Sequence, residues 1–228
     1  YFSHSSFYLI IVNIFLYMEI RKATSFDKNL VLKFCKNTFS WGDYIEKVWS
    51  SWLDEGNLFL FEKDFPVGIC HTFCFQNQLW IEGIRIDPNF RRQKIASKLI
   101  LHAELIGKKT NALFSYLLID TKNIQSLSMA NSLNYEIFQI WNYYSLLPKQ
   151  NSNYEIEFEQ SLDSTFFPYY VDSWRWLETN EKILSDLCVQ NKVIKSSLDG
   201  NDSIAIISDY KHLDKTLIIT LVSGSFDT

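Results

Sequence analysis

The sequence has little that would commit it to a membrane, an oxidising compartment or a polyanionic partner. Its four cysteines, Cys35, Cys70, Cys74 and Cys188, form no C-x-x-C pair. That argues against a disulfide scaffold and for a reduced, cytoplasmic protein. No run of Lys or Arg is present and the net charge is −4, so nucleic acid is not expected as a partner. The apolar run Phe7–Tyr17 has no basic residue ahead of it and no small-residue cleavage site behind it, which excludes a secretory signal of the usual form. It is also shorter than the roughly 20 residues of a spanning helix, so no membrane is expected. Met18 opens the segment Met18–Thr24, which reads as a first strand. We expect Met18 to be the start and residues 1–17 an upstream extension.

What remains is an ordinary globular composition: 228 residues, 47% hydrophobic and 21% charged, enough to bury a core. Aromatics reach 16%, so ring faces build part of any core or pocket. Met18–Ala23 alternates as a strand, and Thr24-Ser25-Phe26-Asp27 fits a capping box, with the Thr24 hydroxyl on an orphan amide and Asp27 reaching back. Leu30, Val31 and Phe34 continue at helical spacing. A second helix is predicted over Tyr44–Leu53, ended by Gly56-Asn57. Leu58–Glu62, Val67–Phe75 and Leu79–Ile86 form an antiparallel meander with short turns. After Asp87-Pro88-Asn89, Ile95, Leu99, Ala103 and Ile106 mark a helix, with Gly107 as its left-handed cap. Ala112–Ile119 reads as a strand covered on both faces, Asn123–Leu133 as a short helix ended by Asn134, and Tyr135–Leu146 as a last strand.

The first domain therefore spans residues 18–147, with a linker over 148–153 and a C-terminal α/β segment over 154–228. In that segment we expect a strand at Tyr154–Phe158, helical material through Tyr169–Gln190, and strands near Val193–Ser196, Ser203–Ser208 and Thr216–Val222. Ile156 stands to Ile20, and Ile218 to Ile84, at offsets of about 135 residues, the spacing of an incomplete tandem copy.

The stretch Trp80–Ile100 carries the chemistry. A strand ends at Pro88, a cationic loop follows, and an amphipathic helix begins. The first amides of that helix lack intrahelical partners, and its dipole adds partial positive charge, which together make a pyrophosphate site. Arg91 and Arg92 add charge-assisted donors, and the small Ala96 and Ser97 let a ligand approach the backbone.

Ile86-Asp87-Pro88-Asn89-Phe90-Arg91-Arg92-Gln93-Lys94-Ile95-Ala96 resembles motif A of the GNAT (Gcn5-related) N-acetyltransferase superfamily, V-x-P-x-[FY]-[RQ]-x-x-G-x-[GA], with Lys94 at the usual Gly. Met18-Glu19-Ile20-Arg21-Lys22-Ala23 is similar to a common opening of that family. Asn123-Ile124-Gln125-Ser126 with Leu133-Asn134-Tyr135 is similar to its motif B, again with Asn for Gly. The resemblance covers residues 18–147. It implies an α/β (α+β layered) GNAT fold: a mixed, mostly antiparallel sheet with splayed central strands, flanked by helices, here followed by a partial second α/β domain.

It also implies roles. Acetyl-CoA is the acyl donor, with no metal. Its pantetheine pairs with the backbone of Ile84, Arg85 and Ile86. The amides of Arg91, Arg92, Gln93, Lys94, Ile95 and Ala96 hold the pyrophosphate, and Ser97 adds its hydroxyl. Asn123 and Ser126 touch the pantetheine arm or the adenosine side. A carboxylate on the fourth strand serves as general base. Glu82 fits, and simple strand parity sets it on the face of Ile84 and Ile86. The general acid of the family, a Tyr on the motif B helix, falls on Ala130; Tyr135 and Tyr143 lie nearby without matching.

For the acceptor, Trp41, Asp43 and Tyr44 lie in a loop beside the first helices, where binding residues concentrate. The face of Trp49 and Trp52 reads as core. Cys70-His71-Thr72-Phe73-Cys74 reads as buried thiols on an apolar strand rather than a metal site, for want of a second ligand pair. His102 reads as surface, and the aromatics at Phe166–Tyr170 and Trp174–Trp176 as core or interdomain contacts. The function these residues imply is an acetyl-CoA-dependent N-acetyltransferase, moving an acetyl group to a primary amine of a small molecule, peptide or protein by direct attack in a ternary complex. The alternative is a catalytically silent acyl-CoA-binding or sensing module, favoured by Ala130.

Overall fold

Two compact units divide the chain, Tyr1–Glu136 and Ile137–Thr228. The computed structural model describes residues 20–39, 42–147, 155–162, 169–198, 200–209 and 216–224. Met18, Trp41, the expected linker at 148–153 and Phe166–Pro168 lie outside the described residues.

The first unit is a sheet covered on both faces. Strands β1 (Ile20–Lys22), β2 (Leu58–Glu62), β3 (Pro66–Phe75), β4 (Gln78–Ile86) and β5 (Phe114–Tyr116) lie side by side in chain order. The first four are antiparallel neighbours, and β5 runs parallel to β4. Helices α1 (Lys28–Cys35) and α2 (Ile45–Glu55) cover one face, where Val31, Ile45, Val48, Trp49 and Trp52 pack against Leu58, Leu60 and Ile69. Helix α3 (Ile95–Lys109) covers the other, with Ile95, Leu99, Ile100 and Ala103 against Phe59, Val67, Cys70, Leu79 and Ile81. Each fully buried apolar side chain contributes about 1.5–3 kcal/mol, so these two clusters hold the layers. Trp49 and Trp52 belong to that core, as their helical spacing indicates.

The capping box forms as expected, with the Thr24 side chain on the Asp27 amide and the Asp27 side chain on the Thr24 amide. The Thr24 amide and hydroxyl both donate to Asp27 Oδ2, each at 2.8 Å. Arg21 of β1 donates to both Asp27 oxygens at 2.8 and 2.7 Å and also pairs with Glu62 of β2. One carboxylate thus ties the first strand to the start of the first helix.

Four expectations change. Gly107 does not cap α3, which runs on to Lys109; a Cβ on Gly107 would lie 2.7 Å from Leu79, so glycine is there for close packing, and the left-handed residue is Asn111 (φ 62°). The fifth strand is three residues long rather than eight, because its ladder with β4 ends at Trp80↔Tyr116. Residues 135–147 form no strand. Their rings lie against a hairpin of the second unit: Phe138 on Tyr169 (6.0 Å), Trp141 on Trp176 (5.4 Å) and Tyr143 on Trp174 (4.7 Å). That hairpin, β7 (Tyr169–Asp172) and β8 (Arg175–Glu178), replaces the first part of the helical stretch expected over Tyr169–Gln190. Ser173 and Trp174 both take positive φ, 52° and 67°, the turn that suits the twist of a tight hairpin.

Beyond the hairpin the second unit carries α5 (Glu181–Val189), numbered after α4 (Ile124–Ser132) of the first unit. Its main sheet orders β6 (Glu155–Phe158), β9 (Val193–Leu198), β10 (Asn201–Asp209) and β11 (Leu217–Ser223) side by side, all antiparallel. That is the order and direction of β1 to β4.

Candidate active site

Strand β4 organises the site through one irregularity. His71 pairs with Glu82, but Ile69 pairs with Arg85, so β4 carries one extra residue at this bulge. Gly83 takes φ 64° there, and a Cβ on it would lie 2.4 Å from the Trp52 ring. A side chain would meet both a left-handed backbone and an indole, so glycine is required. The bulge also inverts parity. Glu82 and Arg85 reach side chains on the α2 side of the sheet, whereas Ile84 and Ile86 pack with the α3 cluster. The shared face expected for Glu82, Ile84 and Ile86 is thus corrected: Ile84 and Ile86 keep the α3 side and Glu82 does not. Beyond Trp80 no register joins β4 to β5, so the sheet opens beside residues 82–86.

The open edge leads into the cationic loop. Asp87 Oδ1 accepts from the Asn89 amide, closing a short 3-10 turn over Pro88–Phe90. Arg91, Arg92, Gln93 and Lys94 are exposed, and Ile95 begins α3 with its side chain in the core. Arg92 and Lys94 both take left-handed φ, 60° and 59°. This explains why the motif has glycine where this chain has Lys94: the backbone conformation is kept and Lys adopts it at about 1–2 kcal/mol. Lys63 Nζ donates to Gln93 Oε1 at 2.8 Å, holding the loop against the β2–β3 turn. Ile95, Ala96 and Ser97 stand in the first turn, where amides have no intrahelical acceptor. Asn123 caps α4, its Oδ1 accepting from the Ser126 amide at 3.1 Å.

On the α2 face, Arg85 is enclosed. Its Nε donates to Asp43 Oδ2 at 2.6 Å and Nη2 to Asp43 Oδ1 at 3.1 Å, while Phe39 and Tyr44 lie 5.0 and 5.1 Å from its guanidinium carbon. Both charges are nearly sealed, with side-chain exposures of 11% and 4%. Burial, opposed by Arg85, pushes the Tyr44 phenol above its ordinary range.

Glu82 has a partner that sequence reasoning missed. Its Oε1 lies 2.8 Å from Nδ1 of His71, an imidazole with 0% exposure. Nε2 of that ring lies 3.1 Å from Glu55 Oε2, within ion-pair distance although outside hydrogen-bond alignment. The ring stacks on Trp52 at 4.4 Å and 2°. The available signal was an ionisable side chain in the middle of an otherwise apolar strand. Tyr135, one of the two phenols near the acid position, is engaged elsewhere. It donates to Glu104 Oε1 at 2.8 Å and meets Ser115 Oγ at 2.6 Å, and burial drives its phenol well above the usual range. His102 is half-buried and packs edge-on against Phe59 at 4.8 Å, so it is not plain surface. Among the described residues no group of three His, Cys, Asp or Glu side chains is arranged to hold a metal ion.

The sheet thus parts beside a bulged central strand, next to a helix start flanked by Arg91, Arg92 and Lys94. The family model described as the acetyltransferase (GNAT) family matches residues 26–135. Residues 26–135 therefore carry an acetyltransferase domain of the GNAT type. Among solved structures, an acetyltransferase described as putative from Thermoplasma acidophilum aligns with 91% of this chain and 83% of its own at 12% identity and TM-score 0.55. Its fold therefore extends over both units of the present chain. A transcriptional regulator from Bacillus halodurans aligns over 56% of this chain and 98% of its own (17% identity, TM-score 0.49). An aminoglycoside antibiotic 6'-N-acetyltransferase from Acinetobacter haemolyticus aligns over 57% and 99% (19% identity, TM-score 0.48). No curated protein matches the chain.

Proposed function

We propose that the chain is an acetyl-CoA-dependent N-acetyltransferase that acts on a primary amine by direct attack in a ternary complex. The observation that carries this reading is the opening of the sheet beyond Trp80↔Tyr116, continuous with the cationic start of α3. An extended pantetheine takes the place of a strand beside Ile84, Arg85 and Ile86. The pyrophosphate lies on the amides of Arg91, Arg92, Gln93, Lys94, Ile95 and Ala96, with the Ser97 hydroxyl, and Asn123 and Ser126 meet the pantetheine or adenosine side.

Glu82 takes a proton from the ammonium of the acceptor, directly or through water. The amine nitrogen then bonds to the thioester carbonyl carbon, the carbon–sulfur bond breaks, and the thiolate leaves and takes up the proton that the nitrogen sheds as it becomes an amide. Trp41, Asp43 and Tyr44 belong to the acceptor side; Asp43 serves there by fixing Arg85. Four free cysteines support a cytoplasmic, reducing location, and no helix of the described residues is long and apolar enough to cross a membrane. The strand order of the second unit supports a diverged second GNAT-like copy.

A second reading, a silent acyl-CoA-binding or sensing module, is favoured by one observation: the acid position is Ala130 and Tyr135 is engaged by Glu104. Calorimetry with acetyl-CoA tests both readings, and absence of heat and of a thermal shift removes both. A thiol-release assay over amines and peptides separates them, since only the enzyme turns over.

A further inference from the structure

Resting on the reading of Glu82 as base, we propose that His71 is a positioning residue that fixes the Glu82 carboxylate and keeps it ionised. The two residues stand opposite each other across the β3–β4 ladder. An ionised carboxylate has no hydrogen to give, so the 2.8 Å contact requires Nδ1 to carry the N–H and Oε1 to accept it. A donor to the ionised form lowers the free energy of that form and favours the base at lower pH. The ring cannot drift, because it is fully buried and lies flat on Trp52. Glu55 stands on the Nε2 side and closes the far end of the imidazole.

The arrangement is built around the bulge. Gly83 admits Trp52 to within van der Waals reach of the backbone, and Trp52 in turn supports His71. The charged and titratable groups facing the pair are Glu82 and, beyond it, Arg85 from β4, Glu55 and Tyr44 from α2, and Cys70 from β3.

The test uses the full chain with acetyl-CoA and spermidine as the probe amine. His71→Phe is expected to lower kcat on the order of 10- to 100-fold, the usual effect of a misplaced reacting group, with KM for acetyl-CoA unchanged. The acidic limb of the kcat profile should move to higher pH, since Glu82 loses the donor that favours its charge. His71→Asn, which offers an N–H without the ring, should restore part of kcat and bring the limb back. In parallel, the imidazole nitrogen spectrum of the wild type should show His71 protonated at Nδ1. A spectrum with Nδ1 bare overturns the proposal, and it decides the matter even if the variants fail to fold or spermidine is not accepted. Folded His71 variants with unchanged kcat and pH profile, alongside an inactive Glu82→Gln, overturn the positioning role alone. A fully active Glu82→Gln overturns the reading of Glu82 as base, and this proposal with it.

Discussion

Replacing Gly83 with Ala should unfold the first unit at markedly lower denaturant and close the opening in the sheet. Two costs combine. A non-glycine residue at φ 64° loses roughly 1–2 kcal/mol to the contact of Cβ with its own backbone. The new methyl would also sit 2.4 and 2.5 Å from two carbons of the Trp52 ring. The neighbour is a rigid indole stacked on His71, so relief needs movement of α2, and overpacking of this kind costs about 1–3 kcal/mol. The sum is about 2–5 kcal/mol, a large part of a domain's stability. Urea titration followed by tryptophan fluorescence measures it. The two terms separate in a double-mutant cycle with Trp52→Leu: once the indole is gone, Gly83→Ala should cost only the backbone term, about 1–2 kcal/mol. Gly83→Ala within 0.5 kcal/mol of wild type would refute both the bulge and the role assigned to Trp52.

Lys94→Gly should raise stability by about 0.5–1 kcal/mol in urea, because relief of the left-handed Lys exceeds the added freedom of the unfolded glycine. Asp43→Ala should cost about 3–5 kcal/mol by leaving the buried Arg85 charge without its carboxylate, read again by urea titration. Arg91→Ala with Arg92→Ala should raise KM for acetyl-CoA severalfold while leaving kcat within twofold, the pattern of lost uniform binding. The Arg21 guanidinium, with the Thr24 amide and hydroxyl, holds Asp27 down at about 2. Its folded value is below the unfolded one, so the stabilisation is full above about pH 5 and is lost as pH falls toward 2, amounting to about 2 kcal/mol. Asp27→Asn should flatten acid unfolding over that window.

How much of this was legible from sequence depends on whether a feature is local. The meander from Leu58 to Ile86, the turn at Pro88 and the helix from Ile95 all follow from patterns within a few residues, and the structure has them. The cationic loop was legible for the same reason, since Arg91, Arg92 and Lys94 are contiguous with the helix start. That Ile84 and Ile86 lie on the face opposite Glu82 was not. Alternation presumes a strand without insertions, and the single extra residue at Gly83 shifts every position after it by one. The pairing of His71 was not legible because its partners, Glu82 and Glu55, are distant in sequence and meet it only across the sheet and from α2. The β7–β8 hairpin was misread because Ser173-Trp174 is an unusual pair for a turn with two positive φ values, where Asn-Gly is the common signal.

The bulge therefore explains more than one local kink. On the reading proposed above, the donor lies along Ile84 and Ile86 while the base and the Arg85–Asp43 pair face α2. Leu79 and Ile81 lie on the α3 side, so Glu82 faces α2, where it meets His71. A regular β4 would go on to send Arg85 into the α3 core, where its charge would find no carboxylate, and Ile84 and Ile86 toward α2. The extra residue keeps Ile84 and Ile86 on the α3 side. The same inversion turns Arg85 away from the cationic loop and toward Asp43, so that strand contributes backbone to the donor and side chains to the acceptor. A variant that deletes Gly83 should consequently lose turnover while keeping the α3 start and its cationic ring. Calorimetry with coenzyme A checks this: measurable affinity with no turnover is the expected result, and retained turnover would show that the parity of β4 does not matter.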